Sequence, residues 1–111
     1  MSTFKIATVQ SAPVFMDREA TVDKTCELIA EAAQDNGVRL VVFPEAFIPT
    51  YPDWVWRIPP GEHRMLADMY GELLEQSVTI PSPATERLCQ AAKKAGVYVA
   101  VGLNERNTEA S

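Results

Sequence analysis

Few side chains in this sequence combine a reactive group with a place to use it. The first is Glu45, which follows Arg39-Leu40-Val41-Val42-Phe43-Pro44 and precedes Ala46-Phe47. Proline cannot donate to a β-ladder, so a strand over Leu40–Phe43 should end at Pro44 and leave Glu45 just beyond it. Open α/β sheets place their ligand crevices at the carboxyl ends of strands. Phe43 and Phe47 flank the glutamate, and burial between them is expected to disfavour its charge and raise its pKa. A carboxylate moved towards neutral pH serves as a general base or acid. A strand-end acid can also do no more than cap a backbone turn, and spacing alone leaves both roles open.

The other candidates carry less. Glu105, in Gly102-Leu103-Asn104-Glu105-Arg106, also follows an apolar run, but the adjacent cation suits a surface or ion-pair residue. His63 is the only histidine and lies in a polar helix start, Gly61-Glu62-His63-Arg64, where it is expected to face solvent. Cys26 and Cys89 have no second Cys or His at metal-ligand spacing, and both read as small buried apolar residues, not as nucleophiles or halves of a disulfide. There is no G-x-G-x-x-G, no G-K-[ST] and no G-x-S-x-G. No metal and no cofactor are expected.

The elements that must position Glu45 follow from pattern. Phe4–Gln10 reads as a strand that is apolar or small on both faces, hence interior. Asp17 is an N-cap for a helix running to about Asn36, with Val22, Cys26, Ile29 and Ala33 on one face and Asn36-Gly37 as a left-handed stop. Leu40–Phe43 reads as a second strand, buried on both faces. Strand, helix and strand together make a βαβ unit.

From Ala46 to Pro60 neither helical nor strand periodicity is present. Pro49, Pro52, Pro59, Pro60, Phe47, Tyr51, Trp54 and Trp56 concentrate here. Prolines lower the entropy cost of ordering such a loop and aromatics give it area to pack, so it reads as an ordered, functional loop beside Glu45. Tyr51 and Trp54 are its candidates for lining a substrate pocket. The alternative is that the tryptophans only anchor the loop to the core.

A second helix is expected over about Glu62–Gln76, with an apolar stripe of Met65, Leu66, Met69, Tyr70 and Leu73 filling a core. Ser82-Pro83 opens a third helix, Pro83–Ala95, which buries Leu88, Ala92 and Ala95 and stops at Gly96. Val97–Leu103 is a third buried strand, and Asn104–Ser111 holds no further element. The order β-α-β-loop-α-α-β indicates an α/β fold with a largely parallel sheet. Three strands make a poor sheet, and interior strands need neighbours, so the chain reads as the front of a larger domain.

Bulk properties narrow the class. The 111 residues are 47% apolar and 23% charged, ordinary for a soluble globular domain. With 15 acidic against 10 scattered basic residues and a net charge of −5, there is no footprint for nucleic acid. Apolar runs are too short to span a membrane, and Met1–Ile6 lacks a basic leader followed by an apolar core, so a cytoplasmic location is expected.

The run Gly37-Val38-Arg39-Leu40-Val41-Val42-Phe43-Pro44-Glu45-Ala46-Phe47-Ile48-Pro49-Thr50-Tyr51-Pro52 resembles the first signature of the nitrilase branch of the carbon–nitrogen hydrolase family. The blocks Val9-Gln10-Ser11-Ala12-Pro13, Arg87-Leu88-Cys89, Gly96-Val97-Tyr98-Val99 and Gly102-Leu103-Asn104-Glu105-Arg106 are similar to the same family. The likeness covers the front of a family member only, so residues 1–111 read as a partial domain truncated on its C-terminal side. It implies a four-layer α-β-β-α sandwich and a small-molecule nitrile substrate, with amidase, carbamoylase or cyanide hydratase as sister activities. It also implies self-association of the full-length protein.

The family's mechanism uses a Glu, a Lys and a Cys without metal. The resemblance assigns Glu45 as the general base. Lys93, Lys94, Cys26 and Cys89 do not stand in the motifs of the other two, so the 111 residues alone are expected to be inactive. A non-catalytic remnant that binds a partner is the reading from a different class. One position departs from the pattern: Thr50 stands where the family usually has glycine. If its φ is positive, a β-branched residue there costs roughly 1 kcal/mol or more.

Overall fold

The computed structural model describes residues 2–107. Its elements in chain order are β1 (Lys5–Thr8), α1 (Arg18–Ala32), β2 (Val38–Val42), α2 (His63–Gln76), α3 (Pro83–Ala95) and β3 (Tyr98–Ala100), with a short 3-10 turn at Asp53–Trp56. Among the described residues the strands form one parallel sheet in the order β1-β2-β3. The fold is therefore mixed α/β with β2 at its centre.

Local chemistry sets the helix ends. The Asp17 carboxylate accepts from the Ala20 amide, satisfying one of the free donors at the start of α1. Ser82 and Thr85 exchange side-chain and backbone hydrogen bonds at the start of α3, and Pro83 occupies its first turn. Gly96 closes α3 with φ +70°, a conformation that a β-carbon disfavours. The exit of α1 differs from the expected left-handed stop. The helix ends at Ala32 with a right-handed cap at Ala33, and Gly37 is not in the positive-φ region. The Asp35 carboxylate organises the turn instead. It accepts from Lys5 Nζ and from the Gly37 amide, and the two bonds, the Lys5 one foremost, hold its carboxyl below the usual carboxylate range.

The core lies on one side of the sheet. Val22 and Ile29 of α1, Ala84 and Leu88 of α3, and Val41 of β2 meet there, joined by Phe43, Phe47, Ile48 and Val78. Two threonines unremarked in the sequence, Thr21 and Thr25, are fully buried on α1. The Thr25 hydroxyl donates to the Thr21 carbonyl at 2.7 Å, and the Thr21 hydroxyl donates to the Val14 carbonyl at 2.9 Å. Each hydroxyl thus keeps a partner inside the core. An Arg87–Asp23 ion pair crosses from α3 to α1 on the surface, where such pairs add at most about 1 kcal/mol.

The other side of the sheet is bare, which corrects the expectation of strands buried on both faces. Leu40 and Val42 are only half-buried, Ile6 is 52% exposed and Tyr98 is 80% exposed. β1 and β3 are edge strands here, not interior ones, and regular β3 is shorter than Val97–Leu103. An apolar run records that both faces want cover; it does not record where along the chain the cover comes from.

α2 departs further. None of its residues is buried, and Met65, Tyr70 and Leu74 are largely exposed, so its stripe fills no core among the described residues. Its C-terminal end is tied to α1 by Arg18, whose backbone N–H donates to Gln76 Oε1 and whose guanidinium donates to the carbonyls of Glu75 and Ser77. A cation at that end suits the helix dipole.

The stretch expected to hold no element after residue 103 continues the line of β3. Leu103 bridges Ile48 and Glu105 bridges Val78, both in parallel; residues 108–111 lie outside the described part.

The one-sided core gives a direct test in the 111-residue chain. Phe47→Ala, at a site 1% exposed, should cost about 3–5 kcal/mol in urea unfolding. Tyr98→Ala on the bare face should cost under about 1 kcal/mol. Equal losses would mean that the second face is covered.

Candidate active site

Glu45 stands where the sequence placed it, just past the carboxyl end of the central strand. β2 ends at Val42, and the Phe43 amide still donates to the Ala100 carbonyl at 2.8 Å. Pairing then lapses for four residues and resumes at Ile48, whose amide donates to the Gly102 carbonyl and whose carbonyl accepts from the Asn104 amide at 2.9 Å. Pro44 to Phe47 form an arch between these two anchors, and Glu45 sits near its crown.

The expected shielding of Glu45 is not there. Phe43 and Phe47 turn into the core, 6% and 1% exposed, and pack on each other with ring centroids 5.5 Å apart. Glu45 is exposed, and among the described residues no side chain makes an ion pair or hydrogen bond with it. Two large rings that both enter the core cannot also roof the carboxylate between them.

The condition set for Thr50 is not met, and positive φ falls elsewhere. Thr50 does not have positive φ. Among the described non-glycine residues positive φ falls at Met16 (56°) and Ala46 (49°), the latter immediately after Glu45. Thr50 is buried, and its carbonyl accepts from Asn104 Nδ2 at 2.8 Å. A β-branched residue is therefore accommodated at 50, while Ala46 takes the left-handed turn of the arch.

The two pocket candidates part company. Tyr51 is 47% exposed. Trp54 is buried at 8% and meets Tyr70 of α2 edge-on, with centroids 5.2 Å apart. Its indole N–H has no hydrogen-bond partner among the described residues. Trp54 thus fastens the 3-10 turn of the loop to α2, and Trp56 is exposed. The loop expected to lack regular structure is ordered by that turn and by the Arg57–Asp53 ion pair at 2.6 Å.

Glu105 is exposed and does not pair with Arg106, whose guanidinium donates to the Leu74 carbonyl. His63 is exposed, as its polar surroundings suggested. The residues that sequence reasoning missed are Gly102 and Asn104, which sit under the arch. Their signal was present in Gly102-Leu103-Asn104, a glycine and an amide interrupting a strand-like run.

The cysteines are both free thiols, and neither lies in the arch. Cys89 is exposed on α3, against the expectation of a buried residue. Cys26 is half-buried between α1 and α3, its Sγ 3.8 Å from the Arg87 carbonyl oxygen. Burial pushes its thiol up, more than the Arg87 guanidinium draws it down. A raised pKa means less thiolate at a given pH. Iodoacetamide at pH 8 should therefore modify Cys89 before Cys26, and the Cys26 rate should climb as pH rises further. Peptide mapping that found Cys26 alkylated first would contradict this ordering.

Comparison with known proteins gives this geometry a context. The model of one protein family, carbon-nitrogen hydrolase, matches residues 5–111. Among curated proteins, an aliphatic nitrilase of Rhodococcus rhodochrous is 45% identical over 106 residues, which are 96% of this chain and 28% of that protein. An arylacetonitrilase of Aspergillus oryzae is 40% identical over 104 residues, 94% of this chain and 29% of that protein. A nitrilase of Bacillus sp. is 42% identical, again over 94% of this chain and 29% of its own length. The chain thus spans under a third of the length of the curated relatives it matches.

Proposed function

Because this chain belongs to the carbon-nitrogen hydrolase family, we propose that it is the N-terminal part of a nitrilase, with Glu45 as the general base. The observation that carries the reading is the arch. A lone carboxylate is held just past the carboxyl end of the central strand, on backbone fixed at both feet and open to whatever packs against the bare face of the sheet. The names of the matched relatives favour nitriles over amides as substrate.

In the proposed reaction, Glu45 takes the proton of a cysteine thiol and passes it to the nitrile nitrogen as sulfur attacks carbon. The product is a thioimidate. Water adds to it, ammonia leaves, and a second water releases the carboxylic acid and regenerates the thiol. A lysine steadies the charge that develops on the way, a task for a fixed cation. Cys26 and Cys89 are both helical and sit away from the arch, and Lys93 and Lys94 close α3; in this reading the cysteine and the lysine are supplied by residues outside this stretch. The bare sheet face suits the family's four-layer α-β-β-α sandwich, in which a second sheet would cover Ile6, Leu40 and Tyr98. Self-association of the full-length protein belongs to the same reading.

Glu45→Gln in the full-length protein should lower kcat on a nitrile about 10²–10⁴-fold, the usual contribution of a general base. Its thermal midpoint should hardly move, because glutamine has the same shape and Glu45 makes no ion pair or side-chain hydrogen bond among the described residues. Surviving activity would remove Glu45 from the mechanism. Ammonia release from a panel of nitriles, run against matching amides, tests the substrate class. Purified 1–111 should release none from either.

A further inference from the structure

The arch is not held by its own residues. Past Val42 it has backbone partners only on the stretch that continues β3. Ala100, Gly102 and Asn104 turn their carbonyls and amides to the same side, and each meets one point of the arch: the Phe43 amide, the Ile48 amide and the Ile48 carbonyl. Asn104 adds its side chain, donating to the Thr50 carbonyl at 2.8 Å and reaching the Ile48 carbonyl at 3.5 Å. One side chain thus reaches two carbonyls of the downstream foot, those on either side of Pro49.

Gly102 lies under the crown. A β-carbon built there would stand 2.5 Å from the Ala46 amide nitrogen, 2.7 Å from the Pro44 carbonyl oxygen and 2.9 Å from the Glu45 α-carbon. All three are backbone atoms, so no side chain can swing aside to make room. The arch rests directly on the α-carbon of Gly102, at van der Waals contact, and Ala46 at φ +49° completes the descent. Val99, Val101 and Leu103 line the groove against α3. Gly102, out of phase with them, presents its empty position to the opposite face, where the arch crosses.

We propose that Gly102 and Asn104 are positioning residues for Glu45: Gly102 sets the height of the arch above the sheet and Asn104 fixes its downstream foot. Neither touches the reacting atoms. Both act through the backbone of residues 44–50. This inference rests on Glu45 being the base, and a displacement of about 1 Å in a catalytic group can cost about 10²-fold in rate.

The test is Gly102→Ala in the full-length protein, beside Gly71→Ala in α2, where a β-carbon meets nothing within 4 Å. Two readouts are taken: amide hydrogen exchange in peptides covering residues 44–50, and kcat and KM for an arylacetonitrile. Gly102→Ala should speed exchange in 44–50 and lower kcat about 100-fold with KM within about threefold; Gly71→Ala should change neither. If Gly102→Ala does not fold, Asn104→Ala carries the test by the same two readouts, with a kcat loss of about tenfold expected from one lost side-chain donor. Unchanged exchange in the folded variant would overturn the seat, and faster exchange with unchanged kcat would overturn the positioning role. A wild-type protein that hydrolyses neither nitriles nor amides would fail the functional reading instead, and exchange would still decide whether the arch rests on Gly102.

Discussion

A single line of parallel backbone hydrogen bonds joins the segment after β2 and the segment after α2 to the strand that follows α3. Along residues 100–106 every second residue turns backbone groups inward, and two pieces of chain take them up, Phe43 and Ile48 on one and Val78 on the other, with the Asn104 side chain adding the Thr50 carbonyl. The loop between Pro44 and Pro60 has no regular ladder of its own. Its prolines reduce the states it must give up on ordering, but they also remove donors. The Asp53, Val55, Arg57 and Ile58 amides bond to carbonyls within the loop, while the run after β3 supplies the partners of Ile48 and of the Thr50 carbonyl. Thr50 is buried without an orphaned carbonyl for this reason, and Phe47 and Ile48 can reach the core while Glu45, between Phe43 and Phe47, stays outside it.

How the sequence informs and misleads is plain at particular residues. Caps were legible because they are local: Asp17, Ser82-Pro83 and Gly96 each act within one turn, and each does what its chemistry dictates. The location of Glu45 was legible for a related reason, since Pro44 ends regular pairing whatever surrounds it. Its environment was not. Two flanking phenylalanines suggested a roof, but flanking in sequence is not flanking in space. Both rings followed the core, and an exposed carboxylate was left between them.

The misread burial of the strands has a different origin. Val41 reaches the core while Ile6, Leu40 and Tyr98 do not, although all are apolar members of strand-like runs. Hydrophobic pattern measures what a strand would gain from cover, and the helices α1 and α3 supply cover to one face only. The same reasoning accounts for α2, whose apolar side chains have the right period and no partner among the described residues. The condition attached to Thr50 is not met. The arch does need one left-handed residue, and it falls at Ala46, where the small side chain keeps the penalty low.

The arch also orders events in time. Lys5 to Val42 can complete their pairing within some forty residues of chain, so β1, α1 and β2 are close neighbours in sequence as well as in space. Ile48 must wait for Gly102 and Asn104, more than fifty residues later, and Val78 for Asn104 and Arg106. Closing such a separation is entropically dearer than closing a local turn. A chain emerging from the ribosome therefore spells Glu45 early and fixes it late. Until residues 100–106 have arrived, the segment with the carboxylate is a tether of aromatics and prolines without a ladder, and the ring of Phe47 waits with it.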